Sequence, residues 1–245
     1  LPQLTGPYVL ATLVLFAGAL LLVLRLRPDP YLLARSIAAR TSGQIAHSSL
    51  RDGLAHLRGH RRAVLGITAV SIGHVVMVMV MVMTPVHMSH VDVSLQLIGL
   101  VISVHVLGMF ALSPVVGWAV DRFGRVEVIV VGVMILGASC VISGATPGDN
   151  IPMLGTGLFL LGLGWSCTLI AGSTLLTDDA EAADRPAVQG LSDLCMNVAG
   201  ALGGVVAGVV VVQFSYGVLC AVAVLPVLVL AGLLATPGMR TDHRG

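Results

Sequence analysis

The chain has 245 residues, 56% of them hydrophobic and only 10% charged, against about 25% charged in a typical water-soluble domain. With a mean hydropathy of +0.98 it reads as an integral membrane protein, which excludes a soluble globule. The formal net charge of +1 leaves no electrostatic footprint for nucleic acid. All 13 basic side chains are Arg and none is Lys. With abundant Ala, Gly and Val, that bias resembles a GC-rich bacterial genome.

The sequence begins at Leu1, and no charged segment precedes the first apolar run. A signal peptide is therefore not expected, and the chain reads as a fragment of a longer protein. Residues 1–7 are a lead-in, with Pro7 suited to a first helical position. Residues 8–24 form a first span, short enough that its start can extend towards Leu4. Residues 25–63 are the one long polar segment. Within it Leu50, Leu54 and Leu57 recur at helical spacing, with Arg51, His56 and Arg58 on other faces. That pattern suits a short helix at the membrane surface; a solvated linker is the alternative.

Six further spans follow, at 64–85, 95–120, 126–142, 151–176, 187–212 and 217–235. In the first of these, Met77, Met79, Met81 and Met83 alternate with valine, which by itself suggests a strand. An open strand cannot satisfy its backbone in lipid, so helix is expected throughout, and the fold class is all-α. Pro85, Pro114 and Pro226 offer local breaks. Every Arg falls in 25–63, 121–125, 177–186 or 237–245, and none in 86–94, 146–150 or 213–216. By the positive-inside rule the Arg-bearing segments and the C-terminus are expected on the cytoplasmic side.

Residues 117–125 read G-W-A-V-D-R-F-G-R. They are expected as a short charged turn between two apolar runs, with Asp121, Arg122 and Arg125 close together and Gly117 and Gly124 easing the bend. This stretch resembles the conserved loop of the major facilitator superfamily of secondary transporters, G-x-x-x-D-R-x-G-R. The stretch R-P-A-V-Q-G-L-S-D-L-C-M-N-V-A-G-A-L-G-G resembles the start of helix eleven in that family. The opening L-T-G-P-Y is similar to the lead into helix six of some members. The resemblance implies a bacterial inner-membrane, multi-pass transporter of a small solute, working by alternating access and coupled to protons. Residues 1–24 would hold helix six, 25–63 the cytoplasmic linker, 64–236 a six-helix C-terminal half, and 237–245 a cytoplasmic tail. An N-terminal half would be the missing partner, beside membrane lipids. Asp121 and its neighbouring Arg residues would latch the cytoplasmic gate, with Arg125 pairing to Asp178, Glu181 or Asp184.

Gln189, Asp193, Asn197 and Gly200 recur at spacings of four, four and three, and so share a helix face. An acid inside a membrane helix is costly unless it meets protein or water. Asp193 is thus the first candidate for proton coupling, or else a tie to the other half; Asn197 and Gln189 are candidates for the cavity. His74 and His105 lie within apolar runs and can titrate near neutrality, although hydrogen-bonded packing is the simpler account of each. Trp165 and Ser166 are read either as cavity wall or as packing. Gly200, Gly204 and Gly208 repeat every four residues, a pattern for close helix contact.

Cys140, Cys167, Cys195 and Cys220 lack paired spacing, so neither a metal site nor a disulfide framework is expected. No P-loop is present, and no cofactor or enzymatic activity is expected. Two other readings remain: a truncated half-transporter that is inactive or acts as a membrane partner, and a seven-helix receptor. The absence of Lys excludes a retinal Schiff base in the second.

Overall fold

The computed structural model describes residues 5–27, 29, 32–33, 36, 50–178, 180 and 184–236. It has two compact units, Leu1–His47 and Ser48–Gly245. In the first, α1 (Thr5–Arg25) is a single apolar helix that begins ahead of residue 8 and ends on Arg25, a cation placed well for the helix dipole. The expected acidic-loop residue Glu181 and the tail 237–245 lie outside the described residues.

The second unit holds α2 (Leu50–Gly59), α3 (Arg61–Ser89), α4 (Leu95–Phe110) and α5 (Ser113–Phe123). These are followed by α6 (Arg125–Ala145), α7 (Ile151–Asp178), α8 (Arg185–Gln213) and α9 (Tyr216–Ala235). Counting α4 and α5 as one, the two units together supply seven helices long and apolar enough to cross a membrane. The described residues contain no strand, and the alternating Val and Met run is helical throughout.

The span at 95–120 carries the local break offered by Pro114: the helix is interrupted at Ala111–Leu112 and restarts with Pro114 in the first turn of α5, where a missing N–H leaves no hydrogen bond unmade. Two expectations are corrected. Pro85 and Pro226 do not break their helices. Nor is 117–125 a loop. Helix α5 runs through Asp121 and Arg122 to Phe123, and the turn is Gly124 alone, at φ 109° and ψ 158°. Side chains are essentially barred from that region.

Helix α7 is the axis of the unit, packing against α3, α4 and α6. Glycine makes each of these contacts. A Cβ at Gly66 would lie 2.6 Å from the Gly172 carbonyl, and one at Gly172 would lie 2.8 Å from the Gly66 carbonyl. Gly108 faces the Phe159 carbonyl and Gly162 the His105 carbonyl in the same manner, while Gly164 faces Leu136 of α6. Helix α8 packs on α3, and α9 on α6 and α3. The short α2 is docked on α8: a Cβ at Gly53 would stand 3.1 Å from the Ala187 carbonyl. Leu57 joins Ala63, Ile67, Leu176, Val188 and Leu191 in a second apolar cluster. Burial is uneven. In the most apolar stretch of α7, 61% of residues are buried, and in α3 56%, against 22% across α4–α5 and 17% in α8.

Candidate functional site

The sequence-predicted residues separate into three groups. The first lies at the ends of α5, α6 and α7. Asp121 and Arg122 are exposed on the last turn of α5. A carboxylate there gains nothing from its own helix dipole, whereas Arg122 does. Gly117 has no described neighbour within 4 Å of a Cβ, so nothing in this unit demands glycine there. Arg125 and Asp178 form an ion pair, Nε to Oδ2 at 2.9 Å, and the terminal amino group donates to Oδ1 at 3.2 Å. Among the described residues, Asp178 is the acid paired with Arg125.

The second group lies along α8. Gln189 donates to Asp193 Oδ1 at 3.1 Å, and Asn197 donates to the Asp193 backbone carbonyl at 2.7 Å. The spacing of four thus forms a helical hydrogen-bonded string, as the shared face requires. Asp193 and Asn197 are exposed and Gln189 is half-buried. Gly200 lies two turns beyond Asp193 along that same face and is buried, and the described contacts with α3 do not follow 200–204–208. Buried Gly200 and Gly203 meet α3, where a Cβ at Gly203 would lie 2.6 Å from Val75. Gly204 has only an ordinary contact with Val78, and Gly208 has no described neighbour within 4 Å. The helix repeat of 3.6 explains the correction: steps of three and four stay on one face, and repeated fours drift off it.

The third group was not legible as a group. Trp165 on α7 donates through Nε1 to His74 Nδ1 on α3 at 3.2 Å. A Cβ at Gly200 of α8 would fall 2.7 Å from His74 Cδ2 and 2.8 Å from Nε2. Phe110, the last residue of α4, sets its ring edge-on to Trp165 at 6.0 Å. Ser166 is buried, and its hydroxyl stands 3.5 Å from that of Ser113 at the start of α5. One polar and aromatic node therefore joins five helices, α3, α4, α5, α7 and α8, beside the α4–α5 break. His105 does not belong to it. That imidazole is 1% exposed and donates from Nδ1 to the Leu158 carbonyl at 2.9 Å, a tie between α4 and α7.

A second polar cluster was missed altogether. Thr84 Oγ1 donates to the Val80 carbonyl at 2.8 Å, so Tyr216 is the donor in their mutual bond at 2.9 Å. The Tyr216 ring stacks on His87 with centroids 4.4 Å apart and 11° between planes. His87 Nε2 donates to the Thr146 carbonyl at 3.4 Å. Only the polar ends of three separate spans hinted at it. A groove of about 590 Å³, lined by Leu112, Val115, Val131, Leu163 and Cys167 among others, contains none of the predicted polar residues. Among the described residues, no three His, Cys, Asp or Glu side chains are grouped to hold a metal.

Comparison with known proteins bears on what this arrangement is. The family model described as Major Facilitator Superfamily matches residues 67–244. The chain is 36% identical over 217 residues to the uncharacterized MFS-type transporter YdeG of Bacillus subtilis, covering 88% of this chain and 50% of that protein. It is 32% identical over 222 residues to the uncharacterized MFS-type transporter YddS of the same organism, covering 89% and 50%. The riboflavin transporter RfnT of Brucella anthropi is 30% identical over 185 residues, covering 74% and 46%. The chain spans about half the length of these relatives. From the family match, these similarities and the seven apolar helices, we conclude that this multi-pass membrane protein belongs to the major facilitator superfamily.

Proposed function

We propose that this chain is the C-terminal part of a two-half secondary transporter that moves a small solute by alternating access, coupled to protons. Helix α1 serves as helix six, residues 25–63 as the linker between halves, and α3 to α9 as helices seven to twelve. The Arg-bearing segments face the cytoplasm of a bacterial cell, and the membrane is the inner one. The observation that carries this reading is the exposure of α8. A helix built to cross a membrane turns Asp193 and Asn197 outward, and hydrocarbon is a costly surrounding for a carboxylate. The other half and a water-filled path between the halves supply the surroundings that these side chains need.

Asp193 is the coupling acid in this scheme, and the α5–α6 corner with Asp121, Arg122 and Arg125 is the gate latch. The likeness to a riboflavin transporter makes a planar, acceptor-rich solute the class to try first. The test uses proteoliposomes holding a complete two-half transporter, with labelled riboflavin as probe. Asp193→Asn should abolish flux driven by a proton gradient while sparing counterflow, since the amide resembles the protonated acid in shape. Full gradient-driven flux in that variant removes Asp193 from coupling.

A further inference from the structure

One hydrogen bond in the node between α3, α7 and α8 fixes a tautomer. An indole N–H is a donor only. Its partner, His74 Nδ1 at 3.2 Å, must accept, and it carries no proton while that bond lasts. In the neutral ring the single proton is therefore on Nε2. That edge of the ring is turned to α8, and a Cβ at position 200 would lie 2.8 Å from Nε2. Only glycine at that position keeps a side-chain carbon off Nε2. Asn197 is three residues away on the exposed side of α8, and the Phe110 ring, 59% exposed, borders the node from α4.

We propose that His74 is a specificity-determining residue, offering Nε2–H as a fixed donor to an acceptor on the transported solute. Trp165 is its positioning residue, and Gly200 opens the passage. The matching chemistry is a carbonyl or ring nitrogen on an aromatic solute, whose flat face is bordered by Phe110. The proposal rests on the reading that the exposed side of α4 and α8 lines a solute path. It also separates His74 from proton traffic. A proton added at Nδ1 would set N–H against N–H, so carrying one would require the Trp165 bond to break in every cycle. A tied, single-tautomer imidazole is suited to discrimination, because a site built to hydrogen-bond a solute group rejects analogues that lack it.

The test begins with nitrogen NMR of the purified chain in nanodiscs, with ¹⁵N-labelled histidine and His74→Gln to assign the signal. His74 should show a protonated Nε2 and a bare Nδ1, and Trp165→Phe should release it into a mixture of tautomers. A water-soluble paramagnetic chelate should broaden the Nε2–H signal. A proton on Nδ1, an unchanged tautomer in Trp165→Phe, or an unbroadened signal each overturns the proposal. In the complete transporter with the same labelled probe, His74→Gln places an amide near the Nε2 position and should keep KM near wild type. His74→Asn reaches only towards Nδ1 and should raise KM about tenfold with kcat little changed. Equal KM values for the two variants overturn the donor role. If the wild type moves no solute, the transport reading falls, and the tautomer and broadening results still decide the state of His74.

Discussion

Arg125 and Asp178 each stand at the wrong end of their own helix and the right end of the other's. Arg125 opens α6, where the dipole is positive, and Asp178 closes α7, where it is negative. Pairing across the two ends at 2.9 Å places the cation beside the carbonyl end of α7 and the anion beside the amide end of α6. Both helix dipoles are thereby met. The side chains are 29% and 26% exposed, so the interaction is partly screened.

The first prediction follows from that geometry. Removing one partner leaves the other charge at the unfavourable pole of its own helix. Arg125→Gln or Asp178→Asn should each cost about 1 kcal/mol, the upper end for a part-exposed pair. The double variant should cost less than the sum. Chemical unfolding of the chain in detergent micelles, arranged as a double-mutant cycle, measures this coupling. Strict additivity would show that the two charges do not interact.

The two glycines of the G-x-x-x-D-R-x-G-R stretch should respond in opposite ways. Gly124 has φ 109°, and Gly124→Ala should destabilise the chain by about 1–3 kcal/mol through backbone strain. Gly117 is helical and has open space around a Cβ. Gly117→Ala should leave stability unchanged or raise it by about 0.5–1 kcal/mol through helix propensity. Unfolding midpoints of the two variants side by side give the answer, and equal losses would refute the contrast.

Along α8, three glycine substitutions form a series. Gly203→Ala places a methyl group 2.6 Å from Val75 and should cost about 1–3 kcal/mol by overpacking. Gly204→Ala meets an ordinary contact, and Gly208→Ala meets nothing among the described residues, so both should be neutral or mildly stabilising in this chain. A loss at Gly208 as large as that at Gly203 would mean that α8 is turned otherwise on α3.

Tyr216→Phe tests the missed cluster. The variant keeps the stack on His87 and removes the bond from the phenol to Thr84. Thr84 keeps its own bond to Val80, so the loss should be about 1 kcal/mol. Thr84→Val in the same background should add little, because the shared bond is already gone. A large further loss in the double variant, again read by unfolding, would contradict the pairing.

What the sequence made legible follows from the length scale of each signal. Seven spans were readable because each is a long unbroken apolar run, and the positions of Gly, Pro and Arg mark their ends. Asp193, Gln189 and Asn197 were readable as one string because a single helix carries them. His74 and Trp165 are 91 positions apart, and Thr84 and Tyr216 are 132 apart. No periodicity within one helix relates such pairs; they meet only because α3, α7 and α9 pack as they do. The boundary of α5 was misread for a different reason. Charged residues next to glycine suggest a loop, yet Asp121 and Arg122 continue the helix by one turn because only Gly124 has to bend.

The backbone-to-backbone contacts of α7 have a consequence for how the protein is made. Helices α3 and α4 are neighbours in the chain but barely touch, and each leans on α7 through paired glycines. During synthesis both leave the translocon before their partner exists. Spans released singly into lipid are stable there as helices, and close packing is a later event. Until α7 arrives, Gly66 and Gly108 present bare backbone to lipid or to whatever insertion factor shields them. Assembly of this unit is therefore timed by its fourth span, and a ribosome stalled within 151–178 would leave the earlier helices inserted but not yet joined.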